Sequence, residues 1–561
     1  MKRRVFLVVF LAFGAACAWA AEDGILTADS ATPEQLQRTI ALEKSFLNLP
    51  VKNGAAKRRM ELAIGGRAVR AFDIELAPDD PDWWAHIDIR PFRGSQAVLR
   101  VDAIQPGTAG LAIVDQTDRI KGHETLYDEP LRPQFHFSQQ RGWNNDPNGL
   151  VYYDGEYHLF FQHNPYGWGW ANMHWGHAVS RDLVHWEQLP EALYPWTQAA
   201  AHCFSGSGTV DEANTAGFQT GKEKVIIAAF TDTGCGEAIA YSNDRGRTFT
   251  YWEGNPVVKH KGRDPKVFWY PPGGHWVMAV YDEAGSGARL QRRIAFYTSA
   301  DLKQWERQST LDGYYECPEI FELSVDGDPA NPRWVVFAAD AKYSIGRFDG
   351  KTFTPEHEGK HQVHWGRYYA SQTFDRAPEG RRIQIGWGRI DMQGMPFNQM
   401  MTFPCCQLTL RTTPSGVRMF AEPIREIELL HEKRLAVENA AVAPDRPLSI
   451  ATSGRLFDIR ATLDLGRAER LGLKIAGRQV VYDCRAGELD GMPLAPVEGK
   501  VRVQILVDRP SIEICGNRGR VYKTDSFRSQ DPIEAIEVFA AGGAATVDSL
   551  EVYPLRSAWK R

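Results

Sequence analysis

Three acidic residues in the sequence lie in contexts suited to catalysis. Asp146 in W-N-N-D-P-N-G and Asp264 in R-D-P both precede proline, which restricts the residue before it to extended geometry. Glu316 in Y-Y-E-C-P-E has aromatic and apolar neighbours, and such surroundings raise the pKa of a carboxyl group. Hydrolysis of a glycosidic bond needs one ionised and one protonated carboxyl group on either side of that bond. The three residues are therefore candidates for this chemistry.

Each motif also has a simpler interpretation. Asn148-Gly149 is a tight-turn signal, so N-D-P-N-G alone predicts a turn at a strand edge. Arg263 beside Asp264 is compatible with a surface ion pair, and it would also favour an ionised carboxylate. Glu316 could lie in an ordinary strand, and Glu319 is a rival acid that the spacing does not exclude.

The elements that must position these groups are predicted to be strands. Helical periodicity is confined to one predicted helix, Thr32 to Leu47, where Thr32 can cap the first turn. Beyond it, short alternating apolar runs are separated by Gly, Pro, Asn and Asp, which predicts an all-β protein. We divide the chain into an N-terminal β-rich module at 21–127, a central region at 128–428 and a C-terminal region at 429–561.

The central region contains a repeated phrase. V-S-R-D-L-V-H-W at 179–186 and Y-T-S-A-D-L-K-Q-W at 297–305 are similar, and Y-S-N-D-R-G at 241–246 is a looser copy. Each predicts a strand, an S-x-D turn and a second strand, at intervals of about sixty residues, which suits four-stranded propeller blades. We therefore favour a five-bladed β-propeller over a large sandwich with coincidental turns.

Composition excludes several classes of protein. The 561 residues exceed one hydrophobic core and predict about two to four domains. The net charge is −5 with no basic block beyond the first four residues, which argues against nucleic-acid binding. No apolar run is long enough to span a bilayer. Scattered cysteines without a C-x-x-C pair indicate neither a disulfide framework nor a zinc site, and we expect no metal and no cofactor.

Residues 1–20 predict a signal peptide. A basic start is followed by an apolar stretch at 5–16 and by Ala18-Trp19-Ala20, a small-x-small cleavage site. We expect export to the periplasm or the medium. Lipoprotein anchoring at Cys17 is the minor alternative.

The order of the motifs adds a family resemblance over roughly 131–561. R-P-Q-F-H-F, W-N-N-D-P-N-G, Q-H-N-P, M-H-W-G-H-A, F-S-G-S, R-D-P and E-C-P follow one another as in glycoside hydrolase family 32, the invertase, inulinase and levanase family. This resemblance implies a five-bladed propeller followed by a β-sandwich. It also implies retaining cleavage of β-D-fructofuranosidic bonds in fructans or sucrose, without metal or cofactor.

The resemblance implies roles for individual residues. Asp146 matches the nucleophile, Glu316 the acid/base and Asp264 the transition-state stabiliser. The positions that match the lining of the fructose pocket are Asn145, Gln162, Trp170, Phe204, Ser205, Arg263 and, more loosely, Trp387. The chain departs from the family pattern at Asn144, which replaces a methionine, at 403–407, and at 515–517.

Residues 45–103 resemble a small N-terminal module of some bacterial secreted levanases. This match favours levan over inulin or sucrose as the substrate. Trp83-Trp84 are candidates for a sugar platform, although core or interface packing is the simpler interpretation. We expect the module to influence the handling of polymers and not bond cleavage. A fructosyltransferase and a catalytically inactive fructan-binding protein are the alternative functions.

Overall fold

The computed structural model describes residues 36–102, 110–195, 201–403, 406–529 and 531–559. Strands dominate these ranges, as the sequence predicts, with only short 3₁₀ helices between them. No helix in them is long and apolar enough to cross a membrane. The predicted signal peptide and Cys17 lie outside the described residues.

The predicted helix at Thr32 to Leu47 is wrong over its described part. Leu36–Ala41 is a strand, and Phe46–Val51 is another. Leu47, Leu49 and Val51 alternate into a buried core. The segment pairs with a strand on each side, and this tertiary pairing overrides the local capping signal.

The N-terminal part consists of two packed antiparallel sheets. Its strands β1 to β7 are Leu36–Ala41, Phe46–Val51, Arg58–Ile64, Arg67–Ile74, Trp83–Asp88, Gln96–Val101 and Asp115–Thr117. The sheet orders are β1-β6-β3-β4 and β5-β2-β7. Apolar residues of both sheets form one core, which also includes Tyr166 from the central region.

The central region begins with three four-stranded antiparallel meanders. Strands β8 to β11 are Gly142–Tyr153, Glu156–Asn164, His174–Ser180 and Trp186–Leu193. Strands β12 to β15 are Cys203–Asp211, Val225–Asp232, Gly236–Ser242 and Thr250–Tyr251. Strands β16 to β19 are Gly262–Tyr270, His275–Ala284, Gln291–Ser299 and Glu306–Asp312. Each meander is one sheet.

Two more sheets complete the central region. Strands β20 to β24 are Glu319–Ser324, Pro332–Phe337, Lys342–Phe348, Phe353–Pro355 and His361–Gln362, and they form the fourth sheet. Strands β25 to β31 are His364–Gly366, Tyr368–Thr373, Arg382–Gly388, Phe397–Asn398, Met400–Met401, Cys406–Thr413 and Gly416–Glu422. The fifth sheet contains β26, β27, β29, β30 and β31, while β28 pairs in parallel with β8 of the first sheet.

The repeated phrase of the sequence corresponds to one repeated turn. Ser180, Ser242 and Ser299 each end the third strand of a sheet and donate from Oγ to the aspartate two residues later, at 3.1, 2.7 and 3.1 Å. The turn then leads into the fourth strand of the same sheet. The prediction of a strand, an S-x-D turn and a second strand is therefore confirmed in the first three sheets.

Neighbouring sheets of the central region share apolar cores. Separate clusters join the first sheet to the second, the second to the third, the third to the fourth and the fourth to the fifth. A further cluster joins the fifth sheet to the first, through residues such as Ile385 and Leu150. The first strands β8, β12 and β16 pack side by side, and β26 packs against β8.

The C-terminal region contains two sheets with a common core. Strands β32 to β43 are Leu435–Val442, Leu448–Ala451, Phe457–Asp464, Arg470–Ile475, Arg478–Asp483, Glu488–Leu489, Met492–Pro493, Lys500–Val507, Ser511–Gly516, Val521–Ser526, Ala535–Ala541 and Ala545–Pro554. The larger sheet has the order β25-β41-β40-β39-β34-β43-β32. Its edge strand β25 therefore comes from the central region.

Candidate active site

Four of the central sheets, and the loop that precedes the remaining one, each supply a residue to one site. Four of these residues lie on first strands, namely Asp146 on β8, Ser205 on β12, Asp264 on β16 and Tyr369 on β26. Glu316 lies in the loop before β20. The three acids that the sequence singled out are therefore brought together from positions far apart in the chain.

The backbone is irregular where these acids lie. The pairing of β8 with β9 shifts register between Asn144 and Pro147, and that of β16 with β17 shifts between Arg263 and Lys266. Asp264 and Glu316 have φ angles of 67° and 49°, in the left-handed region that non-glycine residues rarely occupy. The extended geometry predicted for Asp264 from the proline that follows it is therefore wrong. Left-handed conformations of this kind are held by their surroundings and cluster at active sites.

The predicted turn at N-D-P-N-G is wrong. All five residues belong to β8, and two register irregularities occupy the place of the turn. Gly149 has a φ angle of 57°, and a Cβ atom there would lie 2.7 Å from Phe160 and 2.8 Å from Trp175. Glycine is required because the strand bends closely against these rings.

Asp146 is held by two side-chain donors. Ser205 Oγ donates to Asp146 Oδ2 at 2.6 Å, and Asn145 Nδ2 donates to Oδ1 at 3.1 Å. Burial raises the pKa of Asp146 and the charge of Glu316 adds to this, while the two hydrogen bonds oppose it. The donors thus favour the ionised carboxylate in a site that otherwise disfavours charge.

Asp264 lies deeper, and the Cys317 thiol separates it from Asp146. Cys317 Sγ is 3.5 Å from Asp146 Oδ2 and 3.6 Å from Asp264 Oδ2. The backbone N–H of Cys317 donates to Asp264 Oδ2 at 3.0 Å. Burial raises the pKa of Asp264 to about 7, and the negative charge of Asp146 adds to the shift while Arg263 opposes it.

Glu316 and Glu319 have different partners. Tyr369 Oη donates to Glu316 Oε2 at 2.7 Å, and Arg263 Nη2 contacts Oε1. Glu319 is 1% exposed, forms an ion pair with Lys266 at 3.0 Å and accepts from Thr373 Oγ1 at 2.7 Å. Only Glu316 interacts electrostatically with Asp146 and Asp264, so the geometry favours it as the acid.

The remaining candidate residues surround these carboxyl groups. Asn145 Oδ1 accepts from Trp143 Nε1 at 3.0 Å, and the Trp143 ring lies 6.0 Å from that of Trp387. Gln162 Nε2 donates to the carbonyl of Cys203 at 2.9 Å, next to Phe204 on β12. The Phe204 ring lies 6.0 Å from that of Trp170, which is 50% exposed.

Cys317 and Tyr369 are site residues that the sequence analysis did not select. Cys317 was part of the E-C-P motif, but its sequence position gave no sign of contact with two acids. Tyr369 belongs to Arg367-Tyr368-Tyr369, which carries no motif of its own. Only the assembly of β26 beside the loop before β20 brings its hydroxyl to Glu316.

Among the described residues, no group of three or more His, Cys, Asp or Glu side chains is arranged to hold a metal ion. His174 and His177, which have ligand-like spacing, are buried and make other contacts, His177 Nε2 lying 3.1 Å from His158 Nδ1.

Family models match two parts of the chain. The glycosyl hydrolases family 32 N-terminal domain matches residues 136–423, and the family 32 C-terminal domain matches 482–554. The chain belongs to glycosyl hydrolase family 32.

Individual family 32 relatives extend this result. A levanase from Bacillus subtilis is 38% identical over 78% of this chain and 72% of its own length. An extracellular exo-inulinase from Aspergillus ficuum is 29% identical over 78% of this chain and 97% of its own. The crystal structure of an exo-inulinase from Aspergillus awamori superimposes with a TM-score of 0.69 at 28% identity, covering 77% of this chain and all of that one.

The departure from the family 32 pattern at Asn144 lies directly behind the site. Asn144 is fully buried, and neither amide atom has a hydrogen-bond partner among the residues that the structure describes. An unpaired buried amide is costly, and it lies two residues before Asp146. The structure offers no compensating contact for this side chain.

Proposed function

We propose that this glycoside hydrolase is a retaining β-fructofuranosidase that releases fructose from fructans, with levan as its preferred substrate, followed by inulin or sucrose. The observation that carries the proposal is the convergence of Asp146 and Asp264, from two different sheets, with Glu316, from the loop before a third sheet. Similarity to a levanase and to an exo-inulinase supports the substrate class.

In the proposed mechanism, Glu316 protonates the leaving-group oxygen while Asp146 attacks the anomeric carbon of the fructosyl unit. The bond to the leaving sugar breaks as the bond to Asp146 forms. Glu316 then takes a proton from water as the water oxygen attacks the anomeric carbon and the bond from that carbon to Asp146 breaks. This step releases fructose and leaves Glu316 protonated and Asp146 ionised, as at the start. This order requires the two carboxyl groups to lie about 5 Å apart, the separation typical of retaining enzymes.

The neighbours suit these roles. Ser205 and Asn145 donate to Asp146, which keeps its lone pairs aligned and its charge stabilised. Tyr369 and Arg263 hold Glu316 from two sides. Asp264, buried beside both, is proposed to bind fructose hydroxyls and to stabilise the positive charge that develops on the ring.

We propose that the fructose pocket is lined by Asn145, Gln162, Trp170, Phe204, Ser205, Arg263 and Trp387. Contacts of Asn145, Ser205 and Arg263 with the carboxyl groups support this, and the other four residues lie beside these or their neighbours. Aromatic faces can cover a furanose ring, while amide and guanidinium groups bind its hydroxyls.

At the level of architecture, we propose a five-bladed β-propeller at 128–428, a β-sandwich at 429–561 and a separate N-terminal module at 21–127. The shared cores between successive sheets, including the fifth and the first, support the propeller. We also propose export directed by residues 1–20. The Aspergillus ficuum relative is named as an extracellular enzyme.

Product analysis by chromatography tests the function. The protein is incubated with levan, inulin and sucrose, and Asp146→Asn is the control. Free fructose, with turnover reduced at least about tenfold in the variant, is the expected result. New oligosaccharides from concentrated sucrose would indicate a fructosyltransferase instead, and binding without turnover would indicate a fructan-binding protein.

A further inference from the structure

One loop of the catalytic region connects the site to the N-terminal part of the chain. This segment, residues 164–172, runs from the end of β9 to just before β10, and we call it the mouth loop. It carries Trp170, whose ring lies 6.0 Å from Phe204 and 5.4 Å from His202. Trp170 is half exposed, which places it at the entrance to the site.

The opposite side of the mouth loop is buried in the N-terminal core. Tyr166 is 2% exposed and stacks on Phe72 of β4, with ring centroids 3.7 Å apart and an interplanar angle of 20°. Trp168 packs against the same core. The loop therefore has one aromatic residue in the module and another at the substrate entrance, four positions apart.

Asn172 forms a second attachment at the end of the loop. Its Oδ1 accepts from the backbone N–H of Asp73 at 2.8 Å, and its Nδ2 donates to the Asp73 carbonyl at 2.7 Å. The same Nδ2 donates to Asn164 Oδ1 at 2.9 Å. Asn164 in turn donates to the carbonyl of Gly169 at 2.8 Å, so both ends of the loop share one network.

We propose that the N-terminal module positions Trp170, with Asn172 and Tyr166 as the positioning residues that Asp73 and Phe72 hold. The inference rests on the proposed function, because the orientation of Trp170 matters only if its ring contacts the bound sugar. The loop contains Gly167 and Gly169 and needs external support to keep one conformation. Asp73 and Phe72, adjacent on β4, provide that support.

This role of the N-terminal module differs from the one predicted from the sequence, which was an influence on the handling of polymers. If the module acted only on polymers, its contacts would affect levan and leave short substrates unchanged. If it positions Trp170, damage to the attachment weakens binding of every substrate, because all of them place a fructosyl unit in the same pocket.

The first test is a double-mutant cycle on the full chain with a short fructo-oligosaccharide. Asn172→Gly removes the side chain but accepts the φ angle of 43° at this position. We expect kcat/KM to fall about tenfold, mainly through a higher KM, because the ring of Trp170 is no longer preorganised. The double variant Asn172→Gly/Trp170→Ala should be no worse than Trp170→Ala alone.

Two results would overturn the inference while the proposed function stands. One is an Asn172→Gly variant within about twofold of wild-type kcat/KM when Trp170→Ala is impaired, and the other is additive losses in the double variant. Full activity of Trp170→Ala would contradict both the proposed role of Trp170 in the pocket and this inference. Failure of the wild type to release fructose would instead refute the proposed function.

The second test uses substitutions in the N-terminal module. Phe72→Ala removes the stacking partner of Tyr166, and Leu99→Ala on β6 removes a comparably buried side chain from the same core. Both should lower the melting temperature, but only Phe72→Ala should raise KM for the short substrate. Equal KM values in the two variants would contradict the proposal.

Discussion

Glu316 and Glu319 lie only three positions apart, but they have different partners in the structure. The sequence leaves both open as the proton donor, and the structure gives them separate partners. Glu316 contacts Tyr369 and Arg263, whereas Glu319 is paired with Lys266.

Replacing each glutamate by glutamine should therefore have a different effect. With a fructoside whose leaving group needs no proton, Glu316→Gln should release a rapid burst of leaving group and then turn over slowly, because water is no longer activated. On levan it should lose about 10²- to 10⁴-fold in rate.

Glu319→Gln is the matched control for this experiment. Removing one partner of a buried ion pair costs about 3–5 kcal/mol, so its melting temperature should fall without selective sparing of the activated substrate. A burst in Glu319→Gln but not in Glu316→Gln would reverse the assignment of the acid.

Ionisation of the buried Asp264 carboxyl group should lower the stability of the folded protein. Its pKa rises to about 7 in the folded protein from an ordinary value of 3.8, chiefly through burial. The folded state therefore binds this proton more tightly than the unfolded chain. The associated stabilisation is complete in acid, and it is lost as the pH rises from 3.8 to 7.

Asp264→Asn should remove this dependence along with activity. At pH ~7.5 the variant should be more stable than wild type by on the order of 2 kcal/mol, because it no longer buries a charge, and near pH ~4 the difference should vanish. Urea unfolding at both pH values measures it. A variant that is less stable at both would show that the carboxylate is well compensated.

At the level of single residues, the sequence selects candidate residues but does not predict their contacts. The acids and pocket residues could be selected because their motifs are ordered and distinctive. Tyr369 could not, because its role depends on the packing of β26 beside a loop more than fifty residues earlier. Their catalytic roles stay predictions until the variants are assayed.

Among the secondary-structure elements, the first strands of the central sheets contribute most to the site, since four of them carry site residues. Alternation and the S-x-D phrase predict the strands of the first three sheets well. The N-D-P-N-G turn and the helix at Thr32 to Leu47 fail, because local signals for glycine turns and helix caps are overridden by strand pairing. Register shifts such as that between Asn144 and Pro147 have no sequence signature that distinguishes them from a turn.

The contact between β8 and β12 gives a prediction for these strands. A Cβ atom on Gly208 would lie 2.4 Å from the carbonyl oxygen of Gly149, so Gly208→Ala must push the two strands apart. We expect a loss of about 1–3 kcal/mol in unfolding free energy and lower kcat, because Asp146 and Ser205 lie on these strands.

Gly221→Ala serves as the control for this substitution, because a Cβ atom there would meet no heavy atom within 4 Å and its φ angle is not positive. Differential scanning calorimetry and kinetics compare the two variants. Unchanged kcat in a destabilised Gly208→Ala protein would mean that the strand separation does not reach the site.

For the whole molecule, a buried charge cluster joins the catalytic region to the C-terminal sheets. Asp508 accepts from His136 Nδ1 at 2.8 Å and from the backbone N–H of Gln134 at 2.8 Å, and Glu513 lies 3.6 Å from His136 Nε2. Burial alone would lower the pKa of His136, but Glu513 and Asp508 raise it to about 9.

The contribution of this charge cluster to the free energy of unfolding should therefore decrease at alkaline pH. The contribution of His136 is complete below its ordinary pKa of 6.5 and is lost as the pH rises to about 9. We expect the difference in unfolding free energy between wild type and His136→Gln to shrink by on the order of 2 kcal/mol between pH ~6 and ~9.5.

His364→Gln is the control for the pH series. His364 is equally buried, but burial lowers its pKa to about 3, so it does not titrate in this range. Its difference from wild type should change by less than about 1 kcal/mol and in the opposite direction, because only the unfolded chain titrates there, near the ordinary pKa of 6.5. The same behaviour for His136→Gln would mean that His136 is neutral throughout.

The division into domains stays a prediction, and one contact crosses its boundary at 429. The C-terminal region forms two sheets with their own core, but their edge strand β25 comes from residues 364–366, on the other side of the predicted boundary at 429. Such a crossing contact cannot be inferred from composition, because the strand is three residues long.

The position of Tyr166 in the N-terminal core has a consequence for biosynthesis. The ribosome releases the chain from its N-terminus, so the strands β1 to β7 emerge well before Tyr166. Until the mouth loop follows, Phe72 lacks its stacking partner and the nascent module exposes apolar surface. Completion of the module's core must therefore wait until the mouth loop, between β9 and β10, has been synthesised.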